Sequence, residues 1–279
     1  MKLFDTHTHF DVPDFDVDRA TLANEAKQRG VEALVLIGIT RQRFDVLWNT
    51  HQWLSEQSDR YPRSYFAPGL HPFYIEQHQN HDLYVLEQHL QQKNCVAIGE
   101  IGLDTFLKQH REPKLYERQQ YFFKTQLELA KQYNKPVLLH IRKAHADVLK
   151  MLKAQHFTQG GIAHAFSGGV QEAKAFIQLG FKLGVTGQIT NVNAKKLHRV
   201  VQEVGLEHLV IETDCPDMTP VCCQHANTSH TRNVPANLTY VCQSLADALK
   251  LDVPTVAEQL WKNSVLALKL KSSESCFNN

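Results

Sequence analysis

The 279-residue sequence contains no run of about 18 apolar residues, so it offers no membrane-crossing helix. Its opening, Met1-Lys2-Leu3-Phe4-Asp5, reaches charge too soon to form the apolar heart of a signal peptide. Together these absences make the cytoplasm the expected compartment. Neither sign of charge is in excess: 30 Lys and Arg face 29 Asp and Glu, a formal net charge of +1. That excludes a broad electrostatic footprint for nucleic acid, so any such substrate must be gripped locally. Cysteine is scarce, six residues with no small-domain disulfide spacing, which favours reduced thiols. There is no internal repeat and no low-complexity linker. There is also no Gly-x-Ser-x-Gly nucleophile elbow and no Walker phosphate loop. Ser167 has no dedicated base nearby in sequence, so serine catalysis is not expected.

What is present is histidine, sixteen in all, and a regular alternation of short apolar and longer amphipathic segments. That alternation is the mark of repeated β-α units on a parallel sheet. Strands are expected at 3–6, 33–37, 65–70, 96–101, 137–141, 161–165, 181–185 and 209–212. The clearest helix is expected at 114–133, with Leu115, Phe122, Gln126 and Leu129 on one side and Tyr116, Phe123, Leu127 and Ala130 beside them. Pro113 suits its first turn, and Asn134 with Pro136 marks its stop. Helices at 234–250 and 253–271 close the chain. Eight such units predict an α/β fold, a (β/α)₈ TIM barrel, as one domain at 1–270 with a frayed polar tail at 271–279.

On that barrel the polar residues fall into place. Asp5, His7 and His9 lie at the end of the first expected strand, and His71 follows the third. Glu100 ends the fourth, His140 and Arg142 the fifth, His164 the sixth and Asp214 the eighth. Every one sits at a C-terminal strand end, where barrel enzymes build active sites. His7 and His9 are two apart, so both face one side of an extended strand. Imidazole with carboxylate suits Zn²⁺, Mn²⁺ or Fe²⁺, whereas Mg²⁺ prefers oxygen. The four histidines 7, 9, 140 and 164, with Glu100 and Asp214, are too many for one ion with an open position. They suit two divalent ions bridged by a carboxylate. Asp5 would either orient a ligand histidine or satisfy backbone donors at the strand end.

The ordered motifs resemble the TatD family of metal-dependent hydrolases, within the amidohydrolase-like barrels. They are Asp5-Thr6-His7-Thr8-His9-Phe10, Gly69-Leu70-His71-Pro72, Gly99-Glu100-Ile101-Gly102-Leu103-Asp104 and Pro136-Val137-Leu138-Leu139-His140-Ile141-Arg142. His164-Ala165-Phe166-Ser167-Gly168, Glu212-Thr213-Asp214-Cys215-Pro216 and Arg232-Asn233-Val234-Pro235 complete the set. The resemblance runs from about residue 3 to about residue 268, and Asp214-Cys215-Pro216-Asp217-Met218 resembles the YjjV-like branch. It implies a metal-dependent deoxyribonuclease, in several members a 3′→5′ exonuclease, with DNA as partner. It implies that His7, His9 and Asp214 hold one ion, that His140 and His164 hold the other, and that Glu100 bridges them. The ions would be Zn²⁺, Mn²⁺ or Mg²⁺. Asp214 would act as general base, and His71, Arg142 and Arg232 would contact the substrate phosphate. For Arg142 and Arg232 the rival expectation is a structural ion pair; for His71 it is a turn-capping role.

The same resemblance leaves room for an ester or amide hydrolase such as a D-aminoacyl-tRNA deacylase. A metal-binding protein without turnover fits less well, since a mere binder needs neither an open coordination position nor a base. The sequence departs from the family at Ala165, where Cys is frequent, and in the loop 217–231. There Cys222, Cys223, His225 and His230 form either an extra zinc site or, as the adjacent cysteines favour, an ordinary rim loop. Lys108, His110, Arg111, Lys114 and Arg118 would track a phosphate backbone or form a solvated helix start. The remaining histidines are expected in solvent.

Overall fold

The computed structural model describes residues 1–226, 228 and 230–271; the expected tail beyond Lys271 lies outside the described residues. Eight parallel strands alternate with helices: β1 (Leu3–Thr8), β2 (Val31–Ile37), β3 (Arg63–Ala67), β4 (Ile98–Asp104), β5 (Val137–Arg142), β6 (Gly161–Ala163), β7 (Phe181–Val185) and β8 (Leu209–Ile211). Ladders run through β1-β2-β3 and through β4 to β8. Single backbone bonds join the two arcs. At one seam Val96 N–H donates to Phe66 O at 3.0 Å and Gly99 N–H to Pro68 O at 3.1 Å. At the other, Asp214 N–H donates to His7 O and His9 N–H to Cys215 O, both at 2.9 Å. The ring is the expected (β/α)₈ barrel.

The strands are covered on both faces, so they read as nearly continuous apolar runs, such as Val-Glu-Ala-Leu-Val-Leu-Ile in β2. Inward side chains of the lower barrel, among them Phe4, Val35, Tyr65, Leu138, Ile162 and Val210, form their own cluster. The last helix, α9 (Val253–Ala267), packs Trp261 onto it, 5.5 Å from Phe4. Among the described residues eight further helices stand outside: α1 (Arg19–Gln28), α2 (Phe44–Ser55), α3 (Asn80–His89), α4 (Pro113–Gln132), α5 (His145–Ala154), α6 (Val170–Gln178), α7 (Lys195–Val204) and α8 (Leu238–Leu249). Among the described residues no helix is long and apolar enough to cross a membrane.

Helix α4 does more than pack. Gln119 and Gln126 lie two turns apart on one face, and both are buried. Gln126 Oε1 accepts from Leu70 N–H at 2.8 Å, and its Nε2 donates to Leu70 O at 3.2 Å. Gln119 does the same for Asp104, at 2.8 and 3.0 Å. These amides satisfy backbone groups at two strand ends that have no ladder partner. They also fix the chain beside His71 and at Asp104.

Three histidines expected in solvent are buried instead: His51, bonded to Ser64 at 2.7 Å; His78, bonded to His71 O at 2.8 Å; and His110. The basic cluster divides as well. Arg118 turns inward to the carbonyls of Ile75 and His78, while Lys108, Arg111 and Lys114 are exposed.

Candidate metal centre

Glu100 stands at the middle of the upper barrel. It was expected to end its strand, but β4 runs on to Asp104, so Glu100 lies within it. The ladder with β5 is irregular there, and Glu100 N–H crosses to Gly38 O at 2.9 Å. Its carboxylate is buried and lies within 3.9 Å of five imidazoles. Oε2 is 3.3 Å from His7 Nε2, 3.8 Å from His9 Nε2 and 3.4 Å from His71 Nε2. Oε1 is 2.8 Å from His140 Nδ1 and 3.9 Å from His164 Nε2. Asp214 faces the same group: Oδ1 lies 3.7 Å from His7 and 3.6 Å from His9, and Oδ2 lies 3.5 Å from His164. All six expected ligand residues therefore converge.

The other ring nitrogens show how the imidazoles are aimed. His140 Nε2 lies 2.9 Å from Asp104 Oδ2, which leaves Nδ1 toward Glu100. His164 Nδ1 lies 2.9 Å from Glu212 Oε1, which leaves Nε2 toward Glu100 and Asp214. A carboxylate on the far nitrogen sets the tautomer and makes the near nitrogen a better donor to a cation. Sequence reasoning had both Asp104 and Glu212 inside its motifs and gave neither a role. The available signal was a second carboxylate beside each ligand, four residues after Glu100 and two before Asp214. Glu212 is itself held by Ala165 N–H at 2.6 Å and by the Thr6 hydroxyl at 3.3 Å. Gly184 makes room for it, since a Cβ there would meet Glu212 Oε1 at 2.2 Å.

His71 differs from the other four. Its Nδ1 accepts the Phe73 N–H at 3.0 Å, so the neutral ring carries its proton on Nε2. That nitrogen is a donor facing the cavity floor, and it has no lone pair to offer a cation. The capping role foreseen for His71 is thus present, and it leaves Nε2–H turned to the cavity floor, 3.4 Å from Glu100 Oε2.

At His7, His71, His140, His164, Glu100 and Asp214 burial is the largest influence, and it opposes charge. At His140 it is outweighed by Asp104 and Glu100, which push the imidazole up to about 9. Against the same burial, Glu212, Asp214 and Glu100 hold His164 well above the usual range. Glu100 is correspondingly held well below the carboxylate range by His71, His164 and His7, and Asp214 is lowered by His164. At His71 burial prevails and pushes the imidazole down to about 4. Both ring nitrogens of buried His7 lack a hydrogen-bond partner. Orphaned nitrogens facing two buried carboxylates fit divalent cations. Three ligand groups can be drawn from the cluster: His7-Glu100-His164, His7-His9-Asp214 and His71-Glu100-His140. The proton on His71 Nε2 weighs against the third.

These residues floor a cavity of about 790 Å³. Arg142 lines it, exposed, its guanidinium 3.7 Å over the ring of Phe106. Arg232 does not line it. Its guanidinium grips the Asp18 carboxylate, at 3.1 and 2.5 Å, and packs 5.1 Å over Phe15. The phosphate contact expected of Arg232 thus gives way to its rival, the structural pair, because both Nη groups are already committed. Asp5 likewise takes the second of its two roles. It accepts from Thr213 N–H at 2.9 Å and from the Thr213 hydroxyl at 2.5 Å across the β8–β1 seam. In the rim loop the sulfurs of Cys222 and Cys223 are 3.8 Å apart, and His230 contacts Asp217 at 3.2 Å. Among the described residues these four make no ligand cluster. His225 and His230 line the cavity wall, as the plain rim-loop expectation has it.

A family model described as TatD related DNase matches residues 4–269. A Haemophilus influenzae protein named as a metal-dependent hydrolase is 37% identical over 222 residues, 78% of this chain and 82% of its own. The metal-dependent hydrolase YjjV of Escherichia coli K12 is 37% identical over 219 residues, 78% of this chain and 80% of its own. The crystal structure of E. coli YjjV matches with a TM-score of 0.84 at 34% identity, covering 96% of this chain and 98% of that one. A Pantoea ananatis protein named 3′-5′ ssDNA/RNA exonuclease TatD is 27% identical over 267 residues, 94% of this chain and 97% of its own.

Proposed function

The chain belongs to the TatD family of metal-dependent hydrolases, and on that premise we propose that it is a deoxyribonuclease that shortens DNA from its 3′ end. The observation that carries this reading is one buried carboxylate, Glu100, within 3.9 Å of five imidazoles on the floor of an open cavity. The Pantoea relative's name supports the choice of substrate.

His7, His9 and Asp214 would hold one divalent ion and His140 and His164 the other, with Glu100 between them. Zn²⁺, Mn²⁺ or Mg²⁺ in those places acidifies a water and stabilises charge on phosphoryl oxygens. The protein's own groups do the remainder. Asp214 has each carboxylate oxygen turned to a different histidine set, and it is placed to accept a proton from attacking water. His71 Nε2–H donates to a phosphate oxygen. Arg142 grips the same group bidentately, its plane pre-set by Phe106. Asp104 and Glu212 keep His140 and His164 aimed. The chemistry suits the cytoplasm, the compartment proposed here.

The test is metal-reconstituted protein with 3′- and 5′-labelled single-stranded DNA. Stepwise loss from the 3′ end is expected, reduced about 10²–10⁴-fold in Asp214→Asn. Intact DNA together with deacylation of a D-aminoacyl-tRNA would overturn the nuclease reading. The two arginines separate cleanly. Arg142→Ala should lower kcat/KM about 10- to 100-fold, the worth of a charged hydrogen bond. Arg232→Ala should leave kcat/KM nearly unchanged and cost at most about 1 kcal/mol of stability, as a half-exposed pair does. Equal kinetic losses in both variants would show that Arg142 has no special contact with substrate.

A further inference from the structure

We propose that the Phe73–Tyr74 wall of the cavity is a stacking site for the terminal nucleobase. The inference rests on the nuclease reading above and extends it to the part of the substrate that does not react.

Phe73 and Tyr74, both on one wall, are the only phenyl or phenol rings among the described residues that line the cavity. Loops after β1, β2 and β3 contribute Val12, Ile39, Phe73 and Tyr74. Loops after β6, β7 and β8, across the ring, contribute Ser167, Gln188, Gln224, Thr228 and Thr231. A site for a bare phosphate or a small polar ester has no use for an apolar aromatic wall. A nucleotide has: its phosphate meets the histidine and carboxylate floor, one face of its base meets rings, and its sugar and base edges meet hydroxyls and amides. Base-on-aromatic stacking is indifferent to sequence and requires an unpaired base.

Phe73 is built for this task. It is 40% exposed, although a phenyl ring gains most from burial. It is nevertheless fixed. Pro72 starts the single helical turn Pro72–Tyr74 that carries it. Its N–H is bonded to His71 Nδ1, and its ring meets that of buried His110 at 5.4 Å and 89°. An aromatic held rigid at a cavity wall loses little entropy on binding a base. The bond to His71 also sets the distance between the stacking ring and the Nε2–H donor on the floor.

The experiment compares an oligonucleotide with a normal 3′-terminal nucleotide against one whose terminal nucleotide is abasic. Both are given to wild-type protein, Phe73→Ala and Phe73→Trp. Wild type is expected to lose roughly tenfold in kcat/KM on the abasic end, mostly through KM. Phe73→Ala should show that loss already on the normal end and lose nothing further on the abasic one. Phe73→Trp should restore the preference. The backbone N–H survives all three side chains, so His71 keeps its bond, and an unchanged metal content checks that the floor is intact. A terminal 2-aminopurine should be quenched on binding to wild type and not to Phe73→Ala. Equal rates on both ends in wild type, or discrimination retained by Phe73→Ala, would overturn the stacking site while leaving the nuclease reading in place. No cleavage of either strand would overturn both.

Discussion

Glu100→Gln is expected to abolish nearly all turnover, lowering kcat/KM by at least about 10³-fold, and to reduce bound metal from two ions to at most one. The amide keeps the shape of the side chain but loses the charge that, on the proposed reading, would hold two cations at one point. In its place an N–H₂ takes one of the two oxygen positions, facing either His140 Nδ1, now 2.8 Å from Oε1, or His7 Nε2, now 3.3 Å from Oε2, and the oxygen that remains is neutral. A donor among donors cannot serve a cation. The fold should survive, because the strand's backbone bonds, such as that from Glu100 N–H to Gly38 O, do not involve the side chain. Metal analysis of purified protein alongside kcat/KM checks both halves. A variant that holds two ions and turns over normally would remove Glu100 from the centre of the mechanism.

Gly184→Ala is expected to be the most damaging one-methyl change away from the ligands. The added Cβ would fall 2.2 Å from Glu212 Oε1 and 2.6 Å from its Cδ. Glu212 cannot retreat as a surface side chain would. It is fully buried and tied to Ala165 N–H and the Thr6 hydroxyl, with His164 Nδ1 at 2.9 Å. Overpacking of this kind costs about 1–3 kcal/mol, and each kcal/mol lowers the unfolding midpoint of a chain this size by about 2–4 °C. Because the carboxylate aims His164, affinity for one ion should also fall about 10- to 100-fold. Calorimetry with metal titration measures both effects. Adding Glu212→Asp, one methylene shorter, should return part of the lost stability. An unchanged midpoint in Gly184→Ala would show that Glu212 has slack that its contacts deny.

Much of this was legible in the sequence because strand ends and ligand types coincide. Alternating β-α units reveal a barrel, a barrel gathers its C-terminal strand ends, and each of six ligand-type residues lay at or near one. What was illegible depends on partners far along the chain. The pairing of His140 with Asp104 spans 36 positions, and that of Arg232 with Asp18 spans 214. No local pattern shows that Asp18 waits for a guanidinium, so the sequence leaves Arg232 open between a phosphate ligand and a structural pair. The buried histidines escaped for a related reason. His78 sits in a polar-looking stretch, yet its ring is buried between His71 O at 2.8 Å and the Phe122 ring at 5.6 Å. Gln119 and Gln126 are the reverse case: polar residues on an apolar helix face, explained only by the strand ends beneath them.

The seam between β8 and β1 has a consequence for biosynthesis. His7 and His9 leave the ribosome long before Thr213, which closes the strand bearing them and lies 208 positions after Asp5. A nascent chain ending at residue 200 would carry Glu100, His140, His164 and both early histidines without Asp214 or the second wall of β1. The half-built ligand cluster would bind ions in non-native pairings, and the open edge of β1 would invite strand addition from other chains. Such long-range closure also makes for slow folding. Chains truncated before residue 209 should therefore aggregate in a metal-dependent manner, and the whole chain, which adds β8 and the covering helices α8 and α9, should not.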